Sequence, residues 1–100
     1  ITTPVSQNTN YHVYHQYVIR AQKRDELQQY LRDHGVYAMI HYPSPVHTQK
    51  AFEHLGYQQG YFPITEKATK EILSLPIYPE LTDEEVATIS GMIKRFYAYE

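Results

Sequence analysis

The stretch Leu81-Thr82-Asp83-Glu84-Glu85-Val86 constrains the fold of this chain more than any other. Thr82 followed three residues later by Glu85 is a capping box, and Leu81 and Val86 stand where a hydrophobic staple would close over it. A helix therefore begins here, with Val86, Ile89, Ile93 and Phe96 on one stripe along it. An isolated amphipathic helix of this length is marginal in water, so the rest of the chain must supply a surface for that stripe. Gly91 should weaken the helix by about 1 kcal/mol relative to alanine; it either marks a close backbone approach or is merely tolerated.

Strand-like runs upstream provide the surface. Tyr11 to Arg20 is rich in β-branched and aromatic residues, and a period of two puts Val13, His15, Tyr17 and Ile19 on one face. A helix is expected over about Lys23 to His34, where Leu27, Tyr30, Leu31 and His34 share a stripe and Gly35 is placed to end it. Val36 to Tyr42 reads as a second strand, and Gln49 to Leu55 as a short helix stopped by Gly56. Thr65 is expected to cap a helix running to about Ile72. Leu73 to Ile77 reads as a short edge strand bounded by Pro76 and Pro79. The polar stretch 1–10 is expected to be a linker leading into a single domain over 11–100, with Val5 as its one anchor. This pattern implies an α+β fold, a small antiparallel sheet covered by helices on one face.

One hundred residues hold one domain at most. Eleven tyrosines raise the aromatic share to 14%, which suits either strands or a surface that meets another domain or a ligand. The net charge of −2, with Lys and Arg scattered, leaves no electrostatic footprint for nucleic acid. No run approaches the ~20 apolar residues needed to span a bilayer, and the chain opens on Ile1-Thr2-Thr3-Pro4 rather than on anything like a signal peptide. A soluble, cytoplasmic location and a processed or excised segment are the corresponding expectations. With no cysteine, disulfides, thiolate catalysis and cysteine-based zinc sites are excluded.

Chemistry concentrates in Ile40-His41-Tyr42-Pro43-Ser44-Pro45-Val46-His47. Two prolines fix their own φ and restrict the residues before them, so donors on this loop are held still before any ligand arrives. At the end of a strand His41 and Tyr42 would point to opposite sides unless the strand breaks at Pro43. His41 and His47 would need carboxylates from elsewhere to bind a metal, and His12 and His15 would face apart on a strand, so no metal site is expected. There is no Gly-x-Ser-x-Gly elbow and no glycine-rich phosphate loop, and no catalytic residue is assigned.

Read in order, the His-Tyr-Pro loop, Gly60-Tyr61-Phe62-Pro63-Ile64-Thr65-Glu66-Lys67 and Glu71-Ile72-Leu73-Ser74-Leu75-Pro76-Ile77-Tyr78-Pro79-Glu80-Leu81-Thr82 resemble the C-terminal small domain of the DegT/DnrJ/EryC1/StrS family of pyridoxal-phosphate (PLP)-dependent sugar aminotransferases. The run His12 to Arg20 and the pair Arg24-Asp25 match the way that domain begins. The resemblance implies the small domain of a fold-type I enzyme, with PLP held mainly by an N-terminal large domain. It also implies a nucleotide-linked keto-sugar as substrate, glutamate as donor and a homodimeric parent. By the same resemblance His41, Tyr42 and His47 bind the nucleotide sugar, while the lone fragment is inactive because the Schiff-base lysine belongs to the large domain. The continuation Thr48-Gln49-Lys50-Ala51-Phe52 departs from the family's more apolar one, which leaves the sugar open. Two other readings stand beside this: a module that stacks single-stranded nucleic acid on tyrosines such as Tyr14 and Tyr17, and a regulatory or protein-binding domain without catalysis.

Overall fold

The computed structural model describes residues 1–99, so Glu100, the last residue of the expected domain, lies outside it. The elements are strand β1 (Tyr17–Arg20), helix α1 (Arg24–Asp33), two 3-10 turns (Val46–Thr48 and Lys50–Leu55), helix α2 (Pro63–Glu71), strand β2 (Ile72–Leu75) and helix α3 (Asp83–Ala98). The strands pair antiparallel, with Tyr17 opposite Leu75 and Ile19 opposite Leu73. Those four side chains share one face. On it Ile19 and Leu73 join Leu27 and Leu31 of α1 and Ile93 of α3 in the buried core, with Ala21 and Ala38. This is the α+β arrangement the pattern implied.

The sheet is shorter than expected, for a physical reason. In this register the ladder between β1 and β2 stops at Tyr17 and Leu75. Tyr11 to Gln16 is therefore irregular: Tyr14 takes a left-handed φ of 48° and its N–H donates to His12 Nδ1 at 2.9 Å. The expected second strand, Val36 to Tyr42, shrinks to one bridge, Met39 to Ser74. Met39 exchanges both backbone bonds with Ser74, so the next bonded pair would set Tyr37 against Pro76, which has no N–H to give; the Ala38 carbonyl points the other way and accepts from Gln28 Nε2 at 2.9 Å. At the opposite edge Thr2 bridges to Arg20, so Thr2 pins the leading segment while Val5 is 85% exposed.

Helix ends follow local chemistry, apart from the N-cap of α1, where Lys23 takes a left-handed φ of 51°, and one further exception. Gly35 and Gly56, at φ 82° and 74°, stop α1 and the second 3-10 turn where glycine was expected to. α3 carries the full capping box, Thr82 N–H donating to Glu85 Oε2 at 2.9 Å and Glu85 N–H to Thr82 Oγ1 at 3.2 Å. Helix α2 is that further exception. Pro63 occupies its first position and Phe62, not Thr65, is the N-cap; proline supplies a preset φ where its missing N–H is not needed. Glu66 then does the work assigned to Thr65, accepting from Phe62 N–H at 3.0 Å and Gly60 N–H at 2.6 Å.

Buried Arg24 ties α1 to the end of α2. Its Nη1 donates to the carbonyls of Thr69 at 3.1 Å and Ile72 at 2.8 Å, and Nε pairs with Asp25 at 2.6 Å. A cation is favoured at this helix C-terminus, where carbonyls lack partners.

Of the α3 stripe, only Ile93 is fully covered; Val86 is exposed, and the helix stands off the sheet end. An apolar groove of about 830 Å³ opens there, walled by Ile1, Tyr17, Leu75, Val86, Ile89 and Ile93. Gly91 has no backbone against it, since a Cβ would meet only the Arg95 side chain at 3.7 Å. Gly91→Ala should therefore raise stability by about 1 kcal/mol, read as a higher urea midpoint at unchanged slope.

Candidate functional site

The proline loop leaves the sheet after Met39 and is tied down at each end by a histidine. At its start, His41 Nδ1 lies 3.0 Å from Ser74 Oγ and 3.1 Å from Gln16 Nε2. An amide NH2 can only donate, so Nδ1 is the acceptor and the proton of the neutral ring sits on Nε2. Tyr42 is 69% exposed, its ring edge-on to His41 with centroids 5.4 Å apart. The strand has ended before them, and the two rings stay in contact instead of facing opposite sides as a continued strand would place them.

At the far end His47 turns inward and is buried, among exposed neighbours Val46 and Thr48. Its ring meets Phe62 edge-on at 4.8 Å, and Nε2 lies 3.5 Å from Glu66 Oε2, an ion-pair distance beyond hydrogen-bond range. Nε2 has no hydrogen-bond partner. The Gly60 N–H holds the Glu66 carboxyl below its ordinary value; partial burial opposes this, and Phe62 N–H and the His47 charge add to it. A carboxylate depressed this way stabilises the fold above its unfolded pKa, and that contribution is lost as pH falls through the folded value.

The structure does not bring His41 and His47 together, because each is claimed by a different partner. Among the described residues no three metal-ligating side chains cluster. Around the loop, rings accumulate in two groups. Tyr57 contacts Tyr61 and Phe62 at 6.3 and 5.3 Å, joined to the loop through His47. His12, Tyr14 and Tyr17 follow one another at 4.2 and 5.7 Å, and neighbouring Gln16 reaches His41. Ser74, Gln16 and Glu66 are the residues that sequence reasoning did not assign to this site. Glu66 carried a signal, since an acidic residue near a Pro-initiated helix is placed to satisfy free N–H groups.

The described residues do not form a PLP cradle of their own. Lys23, Lys50, Lys67, Lys70 and Lys94 are all exposed, whereas a lysine that forms a Schiff base needs a desolvated or cationic setting. Lys67 instead lies 4.0 Å from Glu71 along α2.

Comparison with known proteins gives a consistent answer. The sequence model of the DegT/DnrJ/EryC1/StrS aminotransferase family matches residues 1–94. A "Pleiotropic regulatory protein" of Geobacillus stearothermophilus is 48% identical over 99% of this chain and 27% of its own length. A "dTDP-3-amino-3,6-dideoxy-alpha-D-galactopyranose transaminase" of Aneurinibacillus thermoaerophilus is 38% identical over 96% of this chain and 26% of its own. Among solved structures, Streptomyces venezuelae DesV in complex with a ketimine intermediate superposes with a TM-score of 0.89 at 29% identity, covering 95% of this chain and 26% of DesV. A Brucella abortus DegT DnrJ EryC1 StrS aminotransferase superposes at 0.86 with 33% identity, over 95% of this chain and 26% of its own. The chain thus spans about a quarter of the length of the curated relatives it matches.

Proposed function

The chain belongs to the DegT/DnrJ/EryC1/StrS aminotransferase family, and from that premise we propose that it is the small C-terminal domain of a longer, cytoplasmic, PLP-dependent enzyme that transfers an amino group to a nucleotide-linked keto-sugar. In this reading the N-terminal large domain holds the cofactor, which when bound carries the amino group between donor and sugar. The small domain closes the substrate side of the pocket, and the parent works as a homodimer. The apolar groove beside α3 supports a covering neighbour, since an open channel walled by Leu75, Val86 and Ile89 is costly to leave in water.

The observation that carries the substrate assignment is the proline loop itself: an exposed phenol between two anchored imidazoles on a stiffened backbone. His41, Tyr42 and His47 are proposed to form this wall, His41 and Tyr42 on its face and buried His47 behind it. The Tyr42 hydroxyl and the His41 Nε2–H are donors suited to the sugar nucleotide's diphosphate. In the full-length parent, Tyr42→Phe should weaken nucleotide-sugar affinity by about 1.5–3 kcal/mol, the range for a hydrogen bond to a charged group. Its melting temperature should stay unchanged, because the ring is already exposed. Unchanged affinity would remove this loop from the substrate wall.

The name of the 48% identical relative favours a second reading, a regulatory protein on the same fold. A parent that transfers no amino group to any dTDP- or UDP-linked keto-sugar would support it.

A further inference from the structure

We propose that His47 and Glu66 form a clip that sets the position of the substrate loop, so that His47 acts on the sugar nucleotide as a positioning residue rather than by touching it. This rests on the reading that the loop 41–47 faces substrate. Apart from those of His41, the loop's hydrogen bonds do not tie it to the rest of the molecule. Thr48 N–H and Oγ1 donate to Pro45 at 3.2 and 3.1 Å, Gln49 N–H to Val46 at 3.2 Å, and Gln49 Nε2 to Ser44 at 3.4 Å. All of these are local.

The loop's attachment therefore falls to its two histidines, and at the far end to His47. There the imidazole fills a slot between the Phe62 ring and Glu66, with 8% of its side chain exposed. Glu66 is a fixed target. Both of its oxygens are engaged by backbone N–H groups at the start of α2, so the carboxylate cannot swing away from the ring. Helix capping alone would not require a histidine there. Packing alone would not aim a buried nitrogen that has no hydrogen-bond partner at a carboxylate oxygen. The clip joins three segments, the Val46–Thr48 turn, the stretch 57–62 and the first turn of α2, and it holds the chain five residues beyond Tyr42. With two prolines between, displacement at His47 is transmitted to Tyr42 rather than absorbed.

The test uses the full-length parent and the probes dTDP and UDP, whose diphosphate is the group the loop is proposed to face. His47→Phe keeps a ring against Phe62 but removes the nitrogen facing Glu66. It should raise the dissociation constant of the bound probe about tenfold, or about 1.4 kcal/mol. His47→Gln, whose amide N–H reaches where Nε2 lies, should bring it back to within about threefold on the same scale. A brace that serves folding alone would lower the melting temperature of His47→Phe and leave probe affinity unmoved. That result, with Tyr42→Phe still weakening binding, overturns the clip and leaves the functional reading standing. Unchanged affinity in both variants, or a wild-type parent that binds neither probe, overturns the reading and the clip with it. Should His47→Phe fail to fold, Glu66→Gln decides: a tenfold weaker probe sustains the clip, and wild-type affinity ends it.

Discussion

Replacing Leu31 by alanine is expected to cost about 2–5 kcal/mol, the range for emptying a fully buried leucine site. Leu31 is entirely covered, and among the described residues the covered apolar set comprises only Ile19, Ala21, Leu27, Leu31, Ala38, Leu73 and Ile93. A core this small has little room to close over a void, because Leu31 belongs to a single cluster drawn from α1, β1, β2 and α3. Domains of this size are stable by about 5–15 kcal/mol in total, so the loss is a large fraction of the whole. Urea denaturation is the measurement; the midpoint should drop at unchanged slope. A loss under about 1 kcal/mol would mean that the Leu31 site collapses freely on truncation.

Arg24→Met should cost about 3 kcal/mol, because each buried acceptor left without its donor costs about 1–3 kcal/mol and two carbonyls lose theirs. Methionine keeps most of the apolar stem, so the loss reads out the guanidinium rather than packing. The affected carbonyls, Thr69 and Ile72, lie where α2 passes directly into β2. Amide exchange should therefore rise first at the end of α2 and along β2, while the capped start of α3 stays protected. Uniform loss of protection with no local excess would refute the clamp. Arg24→Lys should recover only part of the stability, since one ammonium cannot reproduce the fork that meets two carbonyls and Asp25.

The architecture was largely legible in the residues. The apolar stripe of α1 was readable from spacing, and Leu27 and Leu31 are its buried members, although His34 at its end is exposed and stacks on Tyr30 at 4.3 Å. The family could be read from the order of the proline motifs. The site was legible as a location, because two prolines and two imidazoles in one octet mark a stiff polar loop, but its internal bonding was not. Nothing near His41 in the chain indicates Ser74, and nothing near His47 indicates Glu66.

What the sequence by itself determined are features whose partners lie within about four residues along the chain. These are the Thr82–Glu85 capping box, the limits of α1, and the Gly35 and Gly56 stops, where steric limits on φ and reach act locally and need no other part of the molecule. The tertiary structure alone decided the rest. Pro76 shortens the second strand because it would stand opposite Tyr37 as the next bonded pair after Met39 and Ser74, Gln28 takes the Ala38 carbonyl from the other side, and Glu66 replaces Thr65 because the N–H groups of Gly60 and Phe62 fall within its reach. In each case several local conformations were open to the segment. The choice fell to whichever one paired its buried polar groups with partners that only the folded chain brings close.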